Sequence, residues 1–170
     1  MSDDLLEALA GPARPLGLLE SARVLGGLRW VELTSFELLG RLATGAGEGG
    51  PLDAATAVWA SGASLGHAWR AHELERLLPV SAGLPSAAEC TVAPGRLVEA
   101  FVGELARHVA VPGEGLASFY DLLVRAYEVR AAHALEAADG AVVRTLGRLV
   151  ADLRAAALPA PAGAVPGRGA

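Results

Sequence analysis

At 170 residues, with 52% hydrophobic and 19% charged side chains, the chain has ample material for one hydrophobic core and no need of a second domain. A net charge of -5, with 14 arginines and lysines set among acids at helical spacings, argues against a phosphate-binding surface and so against nucleic acid as a partner. The single cysteine, Cys90, excludes an intramolecular disulfide and a thiolate metal site, and its loop-like setting reads as incidental.

Lys, Ile, Asn and Gln are missing while Ala, Gly, Leu and Arg abound, the codon bias of a high-GC bacterium, so the missing residue types carry no functional message. The opening MSDDLLEALAGPARP is acidic and lacks the basic and apolar regions of a signal peptide. No apolar run is long enough to span a membrane. A cytoplasmic protein is expected.

Helical periodicity dominates and no alternating strand pattern is found, which predicts an all-α fold. A first short helix covers 3–9 and stops at Gly11-Pro12. The first long helix runs over 16–43 and ends in the connector TGAGEGGP, which is too rich in glycine to stay helical. A second long helix starts at Asp53, a candidate N-cap, and continues to Leu78 before Pro79. VSAGLPSAAECTVAPG then reads as a long crossing loop. RLVEAFVGELARHV makes a further helix of about four turns. The third long helix covers 116–138, Asp139-Gly140 separates it from a fourth over 141–157, and the Pro-, Gly- and Ala-rich tail 158–170 is expected to be disordered. Residues 1–157 thus make one helical domain. Its inward faces are traced through Leu18, Ala22, Leu25, Phe36 and Gly40, then Val58, Leu65 and Trp69, then Phe119, Leu123, Tyr127 and Ala134, then Val142, Leu146, Leu149 and Leu153.

Glu32 stands out against this pattern. It lies within about a quarter-turn of Leu25, Leu28, Phe36 and Leu39 on a helix face directed inward. A carboxylate there needs a metal ion, an Arg or a His. On the second helix His72 lies on the side of Leu65 and Trp69, whereas His67 points about 140° away, towards Ala60, Ala71 and Leu74. On the third helix Tyr127 and Arg130 face inward and Glu128 outward.

The segments WVELTSFELLGRL and HAWRAHELERLLP, with the helix order, resemble the ferritin-like superfamily, including its hydroxylase-type members. The resemblance covers about residues 16–157 and implies a four-helix bundle with one crossover connection, here with a short extra helix. Members with a di-iron or di-manganese centre place a Glu on each of two helices and a Glu-x-x-His pair on each of the other two. Glu32 fits the first carboxylate. The remaining pattern is absent: Ser64 and Trp69 stand where the acids preceding His67 and His72 would be, and the fourth helix offers only Val142, Leu146, Leu149 and Leu153 inward.

Two site readings follow. In one, Arg29, Glu32 and Arg130 form a buried ion cluster completed by His72 and Tyr127 beside Trp69, with no cofactor. In the other, Glu32 and His72 hold iron or manganese. The first implies a degenerate ferritin-like bundle that works as a binding or partner subunit without redox catalysis. The second implies a metal-dependent oxidoreductase or hydroxylase. Glu104 with His108 reads as a surface ion pair, His133 as a cation at a helix end, and no phosphate loop or nucleophile motif is present. The second helix is apolar on two faces, Val58, Leu65 and Trp69 opposite Ala60, Ala71 and Leu74, which predicts a dimer, either a homodimer or a heterodimer with a related chain.

Overall fold

Helices form where the apolar periodicity and the caps direct them. The computed structural model describes residues 3–46, 51–110, 114–156 and 158, and every regular element among them is helical. In chain order they are α1 (Asp3–Ala10), α2 (Leu18–Ala43), α3 (Ala54–Glu75), α4 (Ala87–Cys90), α5 (Arg96–Gly103), α6 (Leu105–Ala110), α7 (Glu114–Ala132) and α8 (Glu136–Ala155). None is long and apolar enough to cross a membrane. The tail beyond Leu158 lies outside the described residues.

Local signals set the ends. Asp53 Oδ1 accepts from the backbone N–H groups of Ala55 and Thr56 at 3.0 and 3.1 Å, the expected N-cap of α3. That helix ends at Glu75, three residues short of expectation, because the last turn tightens into i to i+3 hydrogen bonds ahead of Pro79. The helix expected over 96–109 is divided at Glu104, just after Gly103. α8 starts earlier than predicted: Asp139 is a kink inside it (φ -109°, ψ 19°), and its carboxylate accepts from the Leu135 N–H at 2.9 Å.

α2 and α3 pack antiparallel. Arg29 pairs with Glu75 at 3.2 Å and Ser64 Oγ donates to the Phe36 carbonyl at 2.9 Å, so residue numbers fall along α3 as they rise along α2. The crossing segment is tied down on α2. Gly26 passes so close to the short helix α4 that a Cβ there would stand 2.2 Å from the Cys90 carbonyl oxygen, and Arg29 Nη1 donates to Thr91 Oγ1 at 2.6 Å. Cys90 is therefore a buried packing residue and not an incidental one. The core joins Leu25, Leu28 and Leu39 of α2 to Phe119 and Leu123 of α7 and to Leu146, Leu149 and Leu153 of α8, with Val98, Val102, Leu105 and Val109 closing one side. Each buried Leu contributes about 1.5–3 kcal/mol.

One helix is rotated relative to the expected core faces. On α3 the buried residues include Ala60, Ser64, His67, Arg70, Ala71 and Leu74, whereas Val58, Leu65 and Trp69 are 74%, 67% and 41% exposed. Small side chains let α3 come close to α2, and this phase alone brings His67 to Glu32. With the opposite rotation the buried carboxylate would lose the Arg70 guanidinium, at a cost of several kcal/mol. On α2, Leu18 and Phe36 also lie outside the core, while Ala22 and Leu25 are inside as expected.

Candidate functional site

Midway along α2, Glu32 is wholly buried. Three donors converge on it: Oε2 accepts from His67 Nδ1 at 2.6 Å and from Arg70 Nε at 3.0 Å, and Oε1 accepts from the Tyr127 hydroxyl. His67 and Arg70 stand at i and i+3 on α3 and so share a face. Tyr127 lies two turns beyond Tyr120 on α7, so both phenols face the same site. The network extends outward at two points. His67 Nε2 is 3.0 Å from the Tyr120 hydroxyl, and Arg70 Nη1 donates to Asp152 Oδ2 on α8 at 2.6 Å. A second tie joins the same helices where Arg148 Nη2 donates to Glu73 at 2.6 Å. All four long helices thus meet at one polar centre.

Burial alone would raise the Glu32 carboxyl, but Arg70 and His67, with the hydrogen bonds from His67 and Tyr127, outweigh it and hold the acid below its usual range. Glu32 is ionised. Burial pushes His67 down, and this exceeds the opposing pull of Glu32, so the imidazole is neutral. An ionised carboxylate only accepts, which requires His67 Nδ1 to carry the proton; Nε2 then accepts, and the Tyr120 hydroxyl donates. Burial raises both phenols, that of Tyr127 with help from the Glu32 charge. Tyr120, itself buried, therefore ends the chain as a protonated donor. The Arg70 cation, disfavoured by burial, is held more firmly than usual by Glu32.

No family model, curated protein or solved structure matches the chain.

A dimetal centre of the kind the ferritin-like resemblance implies does not fit these residues. Both Glu32 oxygens are occupied by donors, and a guanidinium stands 3.0 Å from one of them, where a divalent cation would be repelled. Among the described residues no three His, Cys, Asp or Glu side chains gather with metal-ligand geometry.

Of the residues expected to form the site, Glu32 and Tyr127 are brought together. His72 is exposed on the outer side of α3, away from Glu32, as is Trp69. Arg29 turns to Thr91 and Glu75. Arg130 Nη2 donates to the backbone carbonyls of Arg14 and His133 at 2.9 and 2.8 Å, pinning the start of the chain to α7. Glu128 faces outward as expected and pairs with Arg154. Glu104 pairs with Arg107, not His108. His67, Arg70, Tyr120 and Asp152 are the members that sequence reasoning misses. Hairpin register was an available signal: folding α2 and α3 about the middle of their connector sets Glu32 opposite about residue 65, closer to His67 than to His72.

Proposed function

We propose that this protein works by binding, as a subunit of a helical-bundle dimer that is ferritin-like in helix order and uses its central carboxylate for structure in place of redox chemistry. The observation that carries the reading is the outer face of α3. Val58, Leu65 and Trp69 form an apolar stripe in contact with solvent, and from Ala54 to Trp69 the helix contains no Asp, Glu, Lys or Arg. A stripe of this kind, rimmed by the charged end of the helix at Glu75 and Arg76, marks an interaction surface. A second copy of this chain can approach it without burying an unpaired charge, and a related bundle is the alternative occupant.

The buried network supports the same reading from within. It locks α3 at one rotation against α2, α7 and α8, so the outer stripe is presented on a rigid surface. Light scattering at tens of micromolar should give about twice 17.3 kDa, and Leu65→Glu should return the monomer with helix content unchanged by circular dichroism. A species of only 17.3 kDa from the unsubstituted chain would overturn the homodimer. Stoichiometric iron or manganese in protein purified without chelators would replace the binding role with the oxidoreductase one.

A further inference from the structure

We propose that the groove between α3 and the C-terminal end of α8 is a binding site for a small organic cation of the arylalkyl-amine class. The groove encloses about 360 Å³ and is lined by Trp59, Gly62 and Gly66 of α3, Tyr120 of α7, and Asp152 and Ala155 of α8. That volume falls within the range of small-molecule sites, and the mixture of apolar walls with a few convergent polar groups is typical of them. Val58 belongs both to this groove and to the outer stripe of α3, so binding is measured alongside light scattering, which separates loss of the ligand from loss of the dimer.

Charge decides the class of ligand. The floor of the groove is the outer end of the buried network, where two carboxylates, Glu32 and Asp152, face one guanidinium, Arg70, with His67 neutral. One negative charge is left in excess. It is accessible at Asp152, whose side chain is 41% exposed while Arg70 is 3% exposed. Asp152 Oδ2 is taken by Arg70, which leaves Oδ1 to accept from an ammonium N–H. An anion would meet that excess charge and an arginine that is already paired.

The walls suit an aromatic body. Trp59 and Tyr120 meet edge to face with ring centroids 6.4 Å apart, offering π surface next to the site of the cation. The glycines keep the floor open. A Cβ at Gly62 would meet nothing within 4 Å, whereas one at Gly66 would stand 3.2 Å from Arg70 Nη1 and press on the guanidinium that holds Asp152.

The test is an NMR titration of the full ¹⁵N-labelled chain with phenethylamine, compared with 2-phenylethanol and phenylacetate as its neutral and anionic analogues. Phenethylamine should give saturable shifts of the Gly62 and Gly66 amides, the alcohol should bind at least about tenfold more weakly, and phenylacetate should leave both amides unmoved. Asp152→Asn should weaken phenethylamine by about tenfold or more. Gly62→Phe, which fills the groove from a position with open space around it, should abolish the shifts while the rest of the spectrum stays native; this second variant reads the site even if Asp152→Asn loosens Arg70. The proposal is overturned by the absence of saturable shifts, by equal affinity for the alcohol or the acid, or by undiminished binding in Gly62→Phe.

Discussion

Replacing Glu32 by Ala removes the acceptor shared by His67, Arg70 and Tyr127 and leaves three donors facing a space from which water is excluded. A stranded buried donor costs about 1–3 kcal/mol, and breaking one side of a buried ion pair costs about 3–5 kcal/mol. Arg70 keeps its bond to Asp152, whose exposure lets water share the load, so a loss of about 4 kcal/mol is expected. With a urea dependence of about 2 kcal/mol per molar, the unfolding midpoint should fall by about 2 M. Glu32→Gln preserves shape and one acceptor oxygen, and should lose about half as much. The decisive variant replaces Glu32, His67 and Arg70 together by Met or Leu. It removes the charges as a set, so its cost should be far below the sum of the three single losses. Equilibrium denaturation followed by far-ultraviolet circular dichroism measures all of these. A midpoint in Glu32→Ala within about 0.2 M of the parent would refute the account of the centre as an interlocked ion cluster.

Acid should weaken the protein in two stages. His67 is pushed below its ordinary 6.5, so the unfolded chain takes up a proton there that the native state refuses, and stability falls as pH drops through 6.5. Glu32 is held below 4.5, so its contribution is complete above that value and is lost as pH falls through its depressed folded value. Urea midpoints measured from pH 8 to 4 should therefore be flat at the alkaline end and decline below about 6.5, and a rise between pH 7.5 and 5.5 would contradict a neutral His67. Two glycine substitutions test close packing against intrinsic propensity. Gly26→Ala drives a Cβ into the Cys90 carbonyl, a backbone group that cannot swing aside, and should lower stability by at least about 2 kcal/mol. Gly62→Ala meets open space and should raise it by up to about 1 kcal/mol, both read from thermal unfolding.

The helices were legible because each signal was local. Asp53, Gly11-Pro12 and the run of glycines after Thr44 act within a turn or two of the chain, and they set ends that the structure matches to within a few residues. At Asp139 the expected break is present as a non-helical kink, but the third long helix already ends at Ala132 and a helical turn from Glu136, its Leu135 N–H capped by the Asp139 side chain, precedes the kink. The placement of Glu32 in the core was also legible, since four apolar neighbours on one wheel face leave a carboxylate little choice. Its partners were not, because they depend on the rotation of a different helix.

That rotation is where local patterning fails for a physical reason. α3 presents two apolar faces, and the larger side chains, Val58, Leu65 and Trp69, lie on the face that the structure leaves outside. Hydrophobic area alone would turn them inward. What outweighs it is long-range: a charge on α2 that must be neutralised, and a hairpin register that sets His67 and Arg70 level with it. The polar centre therefore does more than satisfy itself. By drawing the His67 face of α3 inward it fixes the apolar face outward, so this buried carboxylate exposes the surface through which we propose the chain binds its partner. If the triple apolar replacement of Glu32, His67 and Arg70 folds but no longer forms a dimer, rotation of α3 is the link between the two.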